Sequence, residues 1–398
     1  MSARWSYREL DHAIRTVVNC SRPLQGSETV SLDSALGRVL SLTVKGRLNV
    51  PPWDRSTVDG YAVRSIDTAG TGSVSLTVVG NVRAGEFYKG RVGKAECVKI
   101  ATGAPMPAGT DASVMFERTS EVKETVTVPC GIERGDEVST KGVDIKKGST
   151  VARAGSAVTP GVIGALASQG MGSVKVARRP VVAVVPGGNE IAPVGGKASK
   201  GQIYDVNSHT ISAVVSRSGG IPVIMPNVRD DRSAVKRTML SALRHDACVF
   251  SSGSSAGQRD FVAGVIREEG RLLFHGIRVR PGRPTMFGTV HGKPVFGLAG
   301  HPVSSFIGAH YLLAPAVRRM ARLPPAVPVT VRAKYAGSEP ADPHMTHLIP
   351  VSVTGAACRP VFKESGAITS ISAASGIVKQ QKGMAIADGE TVDVEILP

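Results

Sequence analysis

Apolar and polar residues follow different rhythms along this chain, and each rhythm marks out a stretch. Near the start, Leu10, Ile14 and Val17 recur at helical spacing over residues 5–19, and a second short helix is expected over Ser31–Arg38. From Val50 to Val138 the rhythm changes to short alternating runs, such as SVSLTVVG and ECVKIAT, broken by Gly and Pro. That predicts a compact β-rich module. Residues 140–178 combine turns with one apolar segment, Val158–Gln169, which predicts a helix.

The stretch 179–323 alternates strand and helix patterns. The β-branched run after Pro180 ends in Pro186-Gly187-Gly188, and a helix is expected over Thr210–Arg217. The strand Ile221-Pro-Val-Ile-Met follows, then a helix over Ser233–Arg244 with Val235, Met239, Leu240 and Leu243 on one face. Ala247-Cys-Val-Phe runs into a Ser/Gly loop, Ser251–Gly257, before a helix over Phe261–Glu268. Pro294-Val-Phe feeds Gly297-Leu-Ala-Gly-His-Pro302 and a long apolar helix to Met320. Such alternation predicts a parallel α/β sheet with right-handed crossovers, whose ligands bind beyond the carboxyl ends of the strands. After Leu323-Pro-Pro the β rhythm returns in VTVRAKYAG, HLIPVSVTG, CRPVFK and TVDVEIL, which predicts a small C-terminal β domain. The expected fold class is multidomain α/β plus β: residues 1–49 and 140–178 as a helical linker domain, 50–139 as an inserted β-rich domain, 179–325 as the α/β domain and 326–398 as the β domain.

Composition narrows the function classes. A chain of 398 residues exceeds one ordinary core. Forty-eight basic against 32 acidic residues give a net charge of +16, but the charge is dispersed, with little aromatic interleaving. Solvated surface and a few anion-binding bases account for it better than nucleic acid does. Five well-separated cysteines show no metal spacing and read as reduced thiols. The N-terminus lacks the apolar core of a signal peptide, and no apolar run reaches membrane-span length, so the expectation is a cytoplasmic protein with no membrane partner.

Three groups of residues could carry chemistry. The first is the set of Gly/Ser-rich loops at strand ends, around Gly188, Ser251 to Ser255 with Gly253, and Gly300-His301-Pro302 with Ser304. Glycine lets a backbone N–H approach a phosphate closely, and three such loops in one sheet point to a nucleotide or pterin phosphate site. Next come carboxylates at loop positions: Asp59, Asp144, Glu190, Asp205, Asp230, Asp231 and Asp260. Each alone suits a helix cap or a turn. Glu190, Asp230 or Asp231, and Asp260 all follow sheet strands, and converging carboxylates beside phosphates suit magnesium. Asp205, with Asn207, suits ribose or pterin donors instead. The third group is Arg278-Val-Arg280-Pro-Gly-Arg283-Pro284, where guanidinium forks can grip a tetrahedral oxyanion. His344 and His347 lack metal-ligand partners and read as surface or packing residues. No P-loop, HExxH or GxSxG motif occurs.

In order along the whole chain, these motifs resemble the MoeA family of molybdopterin molybdenumtransferases. The most specific pieces are Pro52–Ala62 (PWDRSTVDGYA), Ala101–Gly109 (ATGAPMPAG), Gly142–Ile145, Gly201–Asn207, Ser251–Asp260, Arg280–Pro284, Gly297–Ser304 and Ser365–Ser370. The resemblance implies a MogA-like molybdopterin-binding α/β domain and a C-terminal small β-barrel. It implies insertion of molybdate or tungstate into adenylylated molybdopterin, with hydrolysis of the pyrophosphate bond and release of AMP. Magnesium at Glu190, Asp230 and Asp260, turnover through Asp59, Asp144, Asp230 and Asp260, and substrate contacts from Thr102 and Gly103 as well as the loops above come with it. So do a homodimer, in which the β module of one subunit brings Asp59 and Thr102 to the loops of the other, and an upstream adenylyltransferase as partner. Departures fall at the site. Pro186-Gly-Gly-Asn-Glu190 replaces the family's Ser-Thr-Gly-Asp-Glu, Ser252 replaces a glycine, Arg280 and Arg283 replace lysines, Ala299 and His301 replace Pro and Asn, and Arg55 replaces an Asn. Adenylyl transfer to molybdopterin, and a non-catalytic pterin-binding paralogue or scaffold, are the alternatives.

Overall fold

The computed structural model describes residues 6–252 and 256–397, without the side chains of residues 252 and 256–260. By compactness the chain divides into two units, one of Met1–Glu28, Gly37–Val39 and Lys175–Pro398, the other of Thr29–Leu36 and Leu40–Val174. The four-part division expected from the sequence is finer than this one.

In the smaller unit, six strands form one sheet. Its order is Ala112–Met115, Gly60–Val63, Glu96–Ile100, Ser73–Val82, Thr125–Pro129, Ser120–Val122. Alternation along Gly60–Val63 explains its two cores: Tyr61 and Val63 pack with Leu76, Val114, Val126 and Val128 on one face, and Ala62 packs with Val82, Val98 and Ile100 on the other. Gly60 lies against the Ala112–Met115 strand so closely that a Cβ would stand 1.8 Å from the Val114 carbonyl oxygen. The apolar segment around Val158–Gln169 forms the helix Pro160–Ala167, whose N-cap Thr159 hydroxyl accepts from Val162 N–H at 3.3 Å. The helix expected over Ser31–Arg38 is only a 3₁₀ turn, Leu32–Ser34. Gly37, at φ +72°, takes the left-handed conformation that ends a helix, so too few residues remain for one.

The larger unit holds the α/β sheet, ordered Ile221–Ile224, Val181–Gly187, Ala247–Ser252, Lys293–Leu298, Met286–Val290, Gly270–His275. The first four strands are parallel, as their β-branched runs and intervening helices predict. The last two are antiparallel, which departs from the expected all-parallel sheet. Only His291 and Gly292 join Met286–Val290 to Lys293–Leu298, and a crossover to a parallel neighbour needs a dozen residues or more. Both faces are buried: Val182 and Val184 point to one core with Ile211, Phe287, Phe296 and Ile307, while Ala183 and Val185 point to the other with Met239, Phe250, Val262 and Ile266. The long apolar helix to Met320 is broken into Pro302–Gly308, a π turn at Ala309–Leu313, and Ala314–Met320. Pro315 has no N–H for the α ladder at that point.

Thr346–Thr354, Ala357–Pro360, Thr330–Tyr335, Thr391–Ile396 and Gly376–Gln380 close into a five-strand barrel, the last pairing back to the first. The strand Gly376–Gln380 has no counterpart among the β runs read from the sequence. The short strand Val279–Arg280 adds to the barrel in parallel, with Arg280 opposite His347. This pairing carries the arginine turn of the α/β domain onto the barrel.

A bidentate ion pair fixes the start of the sheet. Arg178 Nη1 and Nη2 donate to Asp246 Oδ2 and Oδ1 at 2.9 and 2.8 Å, and Val181 N–H donates to the same carboxylate at 2.8 Å. Burial pushes the Asp246 carboxyl up, but the Arg178 and Val181 hydrogen bonds outweigh it and hold the group below its ordinary value. A depressed carboxyl stabilises the fold above its unfolded pKa of about 3.9 and loses that contribution as pH falls through its folded value. Arg178→Ala should therefore cost about 1–2 kcal/mol at pH 7, less than a fully buried pair because Arg178 is 41% exposed. In urea denaturation the gap between variant and parent should shrink as pH falls from 5 to 3; a gap that stays constant contradicts the assignment. Gly60→Ala should lower the stability of the β-rich unit by about 3 kcal/mol, seen as an earlier first transition in scanning calorimetry. An unshifted transition would show that the strand pair opens freely.

Candidate functional site

The parallel strands of the larger unit deliver three loops to one end of the sheet. At the first, Gly188 sits at φ +134°, and a Cβ there would stand 2.5 Å from the Glu190 carboxylate. Only glycine allows that carboxylate to fold back over the strand end. Asn227 Nδ2 donates to Gly188 O at 2.7 Å, and Ile203 N–H donates to Glu190 O at 2.8 Å, so the loop is tied on both sides. Asp230 lies close enough to feel the Glu190 charge. Partial desolvation, and then the Glu190 charge, raise the Asp230 carboxyl above its ordinary value. Two neighbouring carboxylates oppose stability but fit a cation. Asp231 is spoken for: its Oδ2 accepts from Ala234 N–H at 2.6 Å as the cap of the helix Arg232–Ala242. Asp231 thus serves the helix, and Asp230 is the one of the two on which the Glu190 charge acts. Among the described residues no group of three or more His, Cys, Asp or Glu side chains could hold a metal ion by itself. Two carboxylates with waters and substrate oxygens match how magnesium is usually held.

The other loops present unpartnered polar atoms. Asp205 is buried, and its Oδ1 accepts from Ser208 N–H at 3.0 Å at the start of the helix Asn207–Arg217. Asn207 Nδ2 donates to Gly300 O at 2.7 Å, which ties the first loop to the third. Asn207 Oδ1 and Ser251 Oγ are buried with no hydrogen-bond partner among the described residues. Buried polar atoms are rarely left so, and one at a strand end and one at a helix start are what a donor- and acceptor-bearing ligand would satisfy. Gly253 and Ser255 lie outside the described residues, and so does the Asp260 side chain.

Beside these loops the arginine turn opens onto a cleft of about 410 Å³. Arg280, Arg283, Gly300, His301 and Ser304 line it from the α/β domain, and Asp342, Met345 and Ser365 line it from the barrel side. Arg283 Nε donates to the Tyr7 hydroxyl at 2.9 Å, and its guanidinium lies 5.1 Å from the Tyr7 ring centroid. That stacking holds a planar donor fork in one orientation. Pro302 opens the helix Pro302–Gly308 behind His301. His344 is exposed and His347 buried, in keeping with surface and packing roles. Sequence reasoning missed Asp342, Tyr7 and Asn227. Asp342 and Tyr7 lie far along the chain from the loops they join, and Asn227 looks like any turn residue before a helix.

In the smaller unit, Asp59 Oδ1 accepts from Thr102 N–H at 2.9 Å, and Gly103 N–H donates to Ser56 O at 2.9 Å. The structure thus joins the PWDRSTVDGYA and ATGAPMPAG segments around one exposed carboxylate. Asp144 is exposed, in the turn that follows Gly142.

Family models match the chain almost end to end: MoeA N-terminal region (domain I and II) over residues 8–170, probable molybdopterin binding domain over 183–319, and MoeA C-terminal region (domain IV) over 332–397. The molybdopterin molybdenumtransferase of Staphylococcus aureus (strain COL) is 30% identical over 393 residues, 96% of this chain and 94% of that protein. That of Staphylococcus epidermidis is 29% identical, over 92% of this chain and 90% of its own. Among solved structures, a molybdopterin biosynthesis MoeA protein from Pyrococcus horikoshii superposes with a TM-score of 0.82 at 34% identity, covering 98% of this chain and 99% of that one. A second from the same organism gives 0.84 at 26% identity, covering 98% and 100%. With three matched regions in family order, a closed C-terminal barrel and full-length relatives, the chain belongs to the MoeA family.

Proposed function

We propose that this protein is an enzyme of molybdenum cofactor biosynthesis, a molybdopterin molybdenumtransferase that inserts molybdate or tungstate into adenylylated molybdopterin. The observation that carries this reading is the occurrence, within one unit, of two electrostatically coupled carboxylates, Glu190 and Asp230, in the loops that follow the strands, and of the arginine-lined cleft. The first suits a cation bridging phosphates; the second suits a tetrahedral oxyanion. One ligand with a pyrophosphate and one metal oxyanion need both.

In this reading Asn207 Oδ1 accepts from, and Ser251 Oγ donates to, the nucleotide or pterin part of the substrate. Gly188, Gly253, Ser255 and Gly300 let backbone approach it, and Thr102 and Gly103 flank Asp59 in the β module. Arg280 and Arg283 hold the oxyanion, with Ser304 and His301 at its edge. Glu190 and Asp230, with Asp260, would hold magnesium. When bound, that ion neutralises charge developing on the phosphate oxygens as water attacks phosphorus and AMP departs. Asp59, Asp144, Asp230 and Asp260 carry turnover. A cytoplasmic homodimer belongs to the same reading; no helix among the described residues is long and apolar enough to cross a membrane.

Purified protein incubated with adenylylated molybdopterin, magnesium and molybdate should release AMP and yield active cofactor. AMP formed instead from ATP and free molybdopterin would mean adenylyl transfer, and binding without turnover would mean a scaffold. Asp59→Ala and Asp260→Ala should each lose turnover with an unchanged circular dichroism spectrum; full turnover in both sinks the carboxylate roles. Glu190→Gln should raise the magnesium concentration for half-maximal AMP release by about tenfold, because one of two neighbouring charges is gone. An unaltered magnesium dependence would remove Glu190 from the metal site.

A further inference from the structure

We infer that Asp342 is a specificity-determining residue that makes the arginine cleft favour a tetrahedral oxyanion able to carry a proton, so that molybdate or tungstate is kept and sulfate refused. The inference rests on the reading that this cleft receives the metal oxyanion. Its starting point is that a cleft lined by Arg280, Arg283 and His301 also contains a carboxylate.

That carboxylate is fixed in place. Asp342 Oδ1 accepts from His344 N–H at 2.8 Å and from Met345 N–H at 3.0 Å, and Asp342 O accepts from Gly383 N–H at 2.7 Å. Among the described residues no ion pair joins it to Arg280, so it does not simply neutralise the arginine. The His344 N–H, opposed by a smaller desolvation effect and helped by the Met345 N–H and the Arg280 and His344 charges, holds the carboxyl below its ordinary value. Asp342 is therefore an anion near neutral pH and can only accept hydrogen bonds.

An acceptor facing a bound anion has a definite consequence. An oxygen without a proton meets like charge, whereas an oxygen with a proton makes a short charge-assisted hydrogen bond. Sulfate, molybdate and tungstate are all tetrahedral dianions, so the arginine forks alone separate them poorly. They differ in basicity: sulfate holds no proton near neutrality, while molybdate and tungstate take one up far more readily. Built-in repulsion of the competitor is how a site distinguishes near-isosteres.

Other groups around Asp342 could imitate a pH effect. Arg280 and Arg283 line the same cleft, His301 and His344 are exposed, and Glu339 stands 3.9 Å from His347 Nδ1. Burial, and then the Arg280 charge, lower the His347 pKa and favour its neutral form. The discriminating readout is therefore selectivity between two anions at one pH, repeated in a His301→Gln background.

Calorimetric titration of the full chain with molybdate and with sulfate at pH 7 tests it. The parent protein should prefer molybdate by about tenfold or more, and Asp342→Asn, which can donate, should bind sulfate about tenfold more tightly and reduce the preference to within about threefold. The same collapse should occur in the His301→Gln background. An unchanged preference in Asp342→Asn, with either anion still binding, overturns the role of Asp342 alone. If neither anion binds either folded protein, the oxyanion reading of the cleft falls and takes this inference with it.

Discussion

Both faces of the Val181–Gly187 strand are buried, and this constraint organises the larger unit. A strand covered on both sides has no room for polar side chains until it leaves the sheet, so polar chemistry concentrates where the strand ends. Val182 to Val185 fill two cores, and the first residues past them, Gly188 and Glu190, are the first that can serve a ligand. The same holds for Ala247–Ser252 and Lys293–Leu298, whose loops bring Ser251 and Gly300 to the same end. Hydrophobic burial thus decides where the site is, although it supplies none of the chemistry.

The two ends of the sheet also treat charge in opposite ways. At the amino ends, Asp246 is matched by Arg178 in a bidentate pair that stabilises the fold. At the carboxyl ends the Glu190 charge acts on Asp230, and Asn207 Oδ1 and Ser251 Oγ are buried without partners among the described residues. Leaving polar atoms unsatisfied costs stability, and natural proteins accept such costs mainly where a ligand repays them. This contrast, more than the presence of acidic residues as such, makes the carboxyl ends the candidate site.

How far the sequence could be read followed the range of the interactions concerned. The helices Arg232–Ala242 and Ala256–Glu269, the strands of the parallel sheet and the module around Gly60–Val63 were legible because periodicity is local. The hairpin Met286–Leu298 was read as one more parallel strand because a two-residue turn at His291-Gly292 leaves little trace beside a long apolar helix. Gly376–Gln380 went unread: its five residues close a barrel through pairing with Thr346–Thr354, a contact no local pattern encodes. Of the carboxylates expected in loops, Asp59, Asp144, Glu190, Asp205, Asp230 and Asp231 lie there, whereas Asp260 falls within the helix Ala256–Glu269, and that Asp231 caps the next helix became visible only in the structure.

By itself the chain determined its alternating α/β segment, its flanking β domains, its Gly-rich strand ends and the motifs that place it in a family. These are properties of neighbouring residues, and neighbouring residues are what hydrophobic period and turn chemistry describe. Only the tertiary structure decided which carboxylates sense each other's charge, which polar atoms are buried without partners among the described residues, and that Tyr7 from the N-terminus and Asp342 from the barrel join an arginine turn. Those facts depend on chain segments hundreds of residues apart meeting at a distance of a few ångströms. Electrostatic and hydrogen-bond energies at a site are set by such distances, so the chemistry was sharpened only where the fold supplied them.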